Sequence, residues 1–82
     1  MAVVTLYGKP GCHLCDDARA VVERVRAERS FKLEEVDVSL DPTLHRGYGE
    51  RIPVLAVDGV ELFEFRVEEA VLVRQLDRVD GS

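Results

Sequence analysis

Eighty-two residues with a net charge of −5, 46% hydrophobic and 33% charged, describe one folded domain rather than a disordered or multidomain chain. Phosphate backbones and anionic lipid surfaces repel so acidic a chain at long range, which excludes nucleic acid and membrane as leading partners. No apolar run approaches the roughly 18 residues needed to cross a bilayer, and the chain enters Ala2-Val3-Val4-Thr5-Leu6-Tyr7 without a basic flank or a cleavage site. With only two cysteines there is no secreted disulfide framework, so the expected location is the cytoplasm.

Val3 to Tyr7 is β-branched and apolar and is bounded by Gly8, Pro10 and Gly11, which predicts a strand buried on both faces. From Cys12 the period changes: Leu14, Ala18, Val21, Val22 and Val25 recur at helical spacing opposite charged residues, predicting an amphipathic helix that ends near Arg29. Phe31 to Val38 reads as a second strand, and strand, helix and strand in that order make a right-handed crossover with parallel strands. Asp41-Pro42 starts a short helix that stops before Gly49. Val54 to Val57, the dipeptide Asp58-Gly59, and Val60 to Phe65 predict an antiparallel hairpin through a tight primed turn. Val67, Val71, Leu72, Leu76 and Val79 outline a closing helix with Glu68 and Glu69 in its first turn. The expected architecture is β-α-β-α-β-β-α: a mixed four-stranded sheet whose apolar strands need helices over their faces. Residues 1–79 form the domain and Asp80-Gly81-Ser82 is expected to fray.

Cys12-His13-Leu14-Cys15 falls where the first strand hands over to the first helix, placing Cys12 at or beside the N-cap and Cys15 one turn later on the same side. Unpaired N–H groups and the positive end of the helix favour an anion there, so Cys12 is expected to ionise below the ~8.5 of a free thiol and to act as nucleophile. Cys15 shares the apolar side with Ala18 and Val22 and is expected to be buried, less ionised and suited to resolving a mixed disulfide. His13 can add a donor or partial positive charge, which Asp16 and Asp17 oppose. Further on, Pro53 precedes a strand that would otherwise be internal, where its missing N–H is unexpected. A cis Ile52-Pro53 bond would leave the Ile52 backbone free to pair with an extended substrate beside Cys12, whereas a trans bond would merely start the strand.

The run Tyr7-Gly8-Lys9-Pro10-Gly11-Cys12-His13-Leu14-Cys15, the crossover unit ahead of Ile52-Pro53, the Asp58-Gly59 hairpin and the last helix together resemble the thioredoxin fold in its short glutaredoxin-like form. The resemblance spans nearly the whole chain and is strongest to small bacterial proteins with the same Cys-His-Leu-Cys pattern. It implies a thiol–disulfide oxidoreductase in which Cys12 attacks, Cys15 resolves and a cis Pro53 faces them. Lys9 matches a lysine that helps hold the glycyl carboxylate of glutathione, and His13-Leu14 replaces the usual Pro-Tyr, so the implied substrate-binding set is Ile52, Pro53, Lys9, His13 and Leu14. Where glutaredoxins carry a glycine pair and an acidic residue for the γ-glutamyl end of glutathione, this chain reads Phe63-Glu64-Phe65-Arg66. The resemblance further implies a monomer with no bound cofactor and glutathione as a candidate co-substrate. The substrate would be a disulfide-containing protein or a glutathione mixed disulfide, and the reductant glutathione or a thioredoxin-reductase-like enzyme.

A competing reading keeps the fold without efficient catalysis, as a binding or redox-sensing module that holds a metal or an iron–sulfur cluster. Structural zinc needs four protein ligands, and beyond the two thiols only His13 and the distant, solvent-facing His45 remain; a cluster would draw thiolates from two chains. Arg51 and Arg66 could attract an anionic substrate or be ordinary surface arginines. Phe63 and Phe65 are expected in the core, with Glu64 facing solvent on an edge strand; an exposed aromatic there would point to a partner protein.

Overall fold

The structure, a computed structural model, describes residues 2–80. Chain order runs β1 (Val3–Gly8), α1 (His13–Arg26), β2 (Lys32–Asp37), a 3₁₀ turn (Val38–Leu40), α2 (Pro42–Tyr48), β3 (Val54–Val57), β4 (Val60–Glu64) and α3 (Glu69–Asp80). Asp80 is the last residue of α3, and the expected fraying at 81–82 lies outside the described residues. The strands form one sheet in the order β2-β1-β3-β4, with β1 and β2 parallel and the other two pairings antiparallel. This is the mixed four-stranded α/β arrangement that the order of the elements predicts, and the one that the thioredoxin-like resemblance implies.

The main core lies where α1 and α3 cover one face of the sheet. Val4 and Leu6 of β1 and Leu55 and Val57 of β3 meet Ala18, Val22 and Val25 of α1 and Leu72 and Leu76 of α3. Burying each of these valines and leucines contributes about 1.5–3 kcal/mol, which is how a chain this short offsets its conformational entropy. A smaller cluster of Cys15, Val38 and Ile52, with Tyr7, Leu44 and Tyr48 packed against it, gathers around the cysteines. The strand buried along its whole length is β3, not β1: Val4 and Leu6 are enclosed, but Val3, Thr5 and Tyr7 are only half-buried. At the sheet edge, β2 exposes Lys32, Glu34 and Glu35, charges of the kind that keep an edge from pairing with another chain.

Local chemistry sets the boundaries. Asp41 caps α2, its carboxylate accepting from Thr43 N at 2.8 Å, and Pro42 opens the helix. Asp37 ends β2 by accepting from Ser39 N and Oγ, so Val38 starts a 3₁₀ turn instead of prolonging the strand. The hairpin turn is primed as expected, with positive φ at both Asp58 (51°) and Gly59 (84°). Asp58 also ties the turn to β1: its N–H donates to Val3 O at 2.8 Å and its Oδ1 accepts from Val3 N at 2.9 Å.

One expectation for β4 fails. Phe63 packs on the core, but Phe65 is 48% exposed. The strand ends at Glu64, and the next two peptides fold into a three-residue turn in which Arg66 N donates to Glu64 O at 2.7 Å across Phe65 at φ 67°. A bulky side chain in that region is strained, and here the turn carries its ring out of the sheet's alternation.

Candidate functional site

Cys12 is the N-cap of α1, in extended conformation (φ −96°, ψ 111°), and its Sγ accepts a hydrogen bond from Cys15 N at 3.2 Å. Both cysteines are free thiols; Cys12 is half-buried and reachable, whereas Cys15, one turn in, is 1% exposed. Burial pushes the Cys15 thiol up to about 11, and a hydrogen bond to Cys12 adds to the rise. A backbone hydrogen bond from Lys9 and the positive charge of Arg19 pull the other way. Gly8, which the sequence marks only as a strand boundary, is part of this geometry: a Cβ there would stand 3.0 Å from Cys15 Sγ. Its place as the last residue of β1, ahead of the cysteine loop, was the available signal.

The Ile52–Pro53 bond is cis, and Pro53 is fully buried. Ile52 joins Cys15 and Val38 in the cluster that Cys12 packs against, so the chain brings both sulfurs and this dipeptide together. Pro53 O accepts from Phe65 N at 2.8 Å, while the N–H and C=O of Ile52 make no hydrogen bond among the described residues. Tyr7 and Tyr48 stack beside them with centroids 4.4 Å apart and planes 7° from parallel. Desolvation, followed by the neighbouring Tyr7, raises the Tyr48 phenol above its ordinary range. Arg51 lies over the Tyr48 ring at 5.1 Å and donates to Glu64 at 2.6 Å and Glu61 at 3.2 Å. Arg51 is thereby committed to its own chain: it fastens the segment before Pro53 to β4.

Of the other sequence candidates, Leu14 is half-exposed on α1 between the cysteines and shares a groove of about 730 Å³ with Phe65, Ala18, Val21 and Val67. Arg66 lies on the rim of that groove, and its guanidinium has no partner among the described residues. His13 opens α1 and His45 lies on α2; both side chains are exposed and have no partner among the described residues. The exposed Lys9 belongs to a different cavity, of about 370 Å³, behind Cys15, together with Gly8, Arg19, Glu35 and Asp37. Among the described residues no group of three or more His, Cys, Asp or Glu side chains could hold a metal ion. Nor is any described helix long and apolar enough to cross a membrane.

The glutaredoxin-like domain (DUF836) family matches residues 3–77. The chain belongs to that family. Its fold is likewise that of solved family-sized proteins. The Nitrosomonas europaea protein Ne2328 is 28% identical with a TM-score of 0.78, over 92% of this chain and 91% of that one. The X. campestris protein XcR50 is 33% identical with a TM-score of 0.76, over 92% and 96%. A mutant thioredoxin from Halobacterium salinarum superimposes with a TM-score of 0.69 at 23% identity, over 94% of this chain and 73% of that one, a likeness of fold alone. This glutaredoxin-like domain therefore carries its Cys-His-Leu-Cys run on a redox-type fold, at the strand-to-helix junction that reaches Ile52–Pro53.

Proposed function

We propose that this glutaredoxin-like domain is a thiol–disulfide oxidoreductase. The observation that carries the reading is the division of labour between the sulfurs: Cys12 caps a helix with its Sγ on a backbone N–H, while Cys15 is buried one turn behind. A Cys12 thiolate attacks one sulfur of a substrate disulfide, the substrate S–S bond breaks, and one substrate thiolate departs and takes up a proton. Cys15, deprotonated, then attacks Cys12 Sγ, forming the Cys12–Cys15 disulfide and expelling the second substrate sulfur, so two electrons pass to the substrate. The unpaired N–H and C=O of Ile52 offer an extended substrate one rung of strand-like pairing next to the sulfurs. Pro53 follows Ile52 directly, the half-exposed Leu14 lies between the two cysteines, and Lys9 and His13 flank the cysteine loop.

The exposed Phe65 favours a polypeptide disulfide over glutathione. Phe63-Glu64 stands where the glutaredoxin resemblance calls for the glycine pair, and the ring of Phe65 just after it gives an apolar side chain a surface to lie on with Leu14. A pair of exchangeable thiols suits a monomer in the reducing cytoplasm, reduced in turn by glutathione or a thioredoxin-reductase-like enzyme. With a protein disulfide as substrate, Cys12→Ser is expected to abolish turnover, and Cys15→Ser to stop after the first step with the substrate covalently held on Cys12, a species visible by mass spectrometry. Equal turnover by the wild type and Cys12→Ser would overturn the proposal.

A further inference from the structure

Resolution on this proposed reading needs the buried Cys15 to give up a proton, and the face it shares with Cys12 is packed by Ile52, Val38, Tyr7 and Tyr48. On the opposite side a cavity reaches the buried Cys15. The rear cavity of about 370 Å³ runs between the end of β1, β2 and α1 and has Cys15, Arg19, Glu35 and Asp37 in its walls. Arg19 follows Cys15 by one helical turn, so the two project along the same side of α1. The guanidinium does not swing freely: its Nε donates to Glu35 on β2 and its Nη1 to Asp16 Oδ1 at 3.3 Å. Surface ion pairs of this kind add little stability, and two carboxylates on one arginine serve better to hold it in place than to hold the fold together.

We infer that Arg19, fixed by Glu35 and Asp16 over the rear cavity, is a positioning residue for the resolving step, its charge favouring the Cys15 thiolate as the proton leaves through cavity water. The inference rests on the oxidoreductase reading. Cys15 Sγ–H passes its proton to water in the cavity, the thiolate attacks Cys12 Sγ of the mixed disulfide, and the substrate sulfur leaves with the electron pair and is protonated from solvent. The charged groups facing Cys15 are Arg19 and Asp16 from α1, Glu35 and Asp37 from β2, Lys9 from the loop after β1, and Cys12 itself. Arg19 is the cation whose pull on the Cys15 thiol opposes its burial.

The test is a stopped-flow reaction of reduced protein with 5,5′-dithiobis(2-nitrobenzoate). It releases one nitrothiolate when Cys12 attacks and a second when Cys15 resolves the adduct, so the two steps are read separately. Arg19→Gln is expected to leave the first phase within about twofold and to raise the pH midpoint of the second by about 0.5–1 unit. The second phase slows only about twofold to threefold at neutral pH, because a more basic thiolate is also a better nucleophile. Glu35→Gln removes the negative neighbour and moves the midpoint the other way, and Arg19→Lys restores most of the wild-type profile. Mere loosening of the fold would move both substitutions in one direction. A second phase whose pH profile is unchanged in Arg19→Gln, or shifted alike in both variants, overturns the inference while leaving the oxidoreductase reading standing. A wild type that releases only one nitrothiolate overturns both.

Discussion

Two cysteines one turn apart differ because one caps a helix and the other is buried beneath it, and that difference has a consequence for stability. The folded Cys15 thiol ionises at about 11, against about 8.5–9 for a free thiol, because burial disfavours its charged form. Between those values the folded chain keeps a proton that the unfolded chain has released, so the stabilisation is complete below about pH 8.5 and is lost as pH rises toward 11. The oxidised chain has no thiol to titrate. Denaturant midpoints of the reduced protein are therefore expected to fall relative to those of the oxidised protein between about pH 8.5 and 10.5. Parallel profiles for the two forms would contradict the burial of an un-ionised Cys15. The same scale separates what the sequence could and could not show of the site. Cys12, Cys15 and Ile52–Pro53 were legible because their chemistry is tied to local signals: a helix start and a proline before a strand. Gly8, Arg19 and Glu35 were not, because the contacts they make come from the approach of two strands and a helix that only the folded chain brings together. Arg51 carries the lesson in reverse, since a surface arginine in the sequence is a structural tie in the fold.

Among the elements, the hairpin is the part most fully written in local code. Asp58 and Gly59 supply the positive φ values that a primed two-residue turn needs, and Asp58 also pins the turn to the start of β1 through Val3. Alanine at that position keeps neither the tolerance for φ 51° nor the side-chain acceptor, so Asp58→Ala is expected to lower unfolding stability by about 1–2 kcal/mol, read from chemical denaturation. A loss below about 0.3 kcal/mol would show that the link to Val3 contributes nothing. Element order, parallel and antiparallel pairings and the helical faces followed from periodicity and turn residues. Two things did not. A half-buried β1 could not be read from Val-Val-Thr-Leu-Tyr, because the burial of its second face depends on what the fold packs there rather than on its own residues. Alternation through Phe65 predicted a core aromatic, but the turn that links β4 to α3 begins one residue earlier and carries the ring into solvent beside Leu14. An aromatic ring exposed at this edge is a surface suited to a protein partner.

At the scale of the molecule, the sheet order places β1 and β3 in the middle, and the two segments of the site leave or enter the sheet at those strands. The cysteine loop follows β1 and Ile52–Pro53 precedes β3; because the two strands are antiparallel neighbours, both segments stand at one end of the sheet. The site is thus carried by the rigid centre of the fold, with α1 supplying the N-terminus on which Cys12 sits. The redox state of one pair of sulfurs is therefore the quantity on which the proposed function turns. The most direct measurement equilibrates the pure protein in glutathione buffers of graded ratio, traps free thiols with an alkylating tag and weighs the products. The expected result is a reversible two-electron interconversion of the Cys12–Cys15 dithiol and disulfide at roughly −270 to −180 mV, with at most a minor glutathione adduct. Thiols that never pair across that range, or that carry a metal through purification, would contradict it.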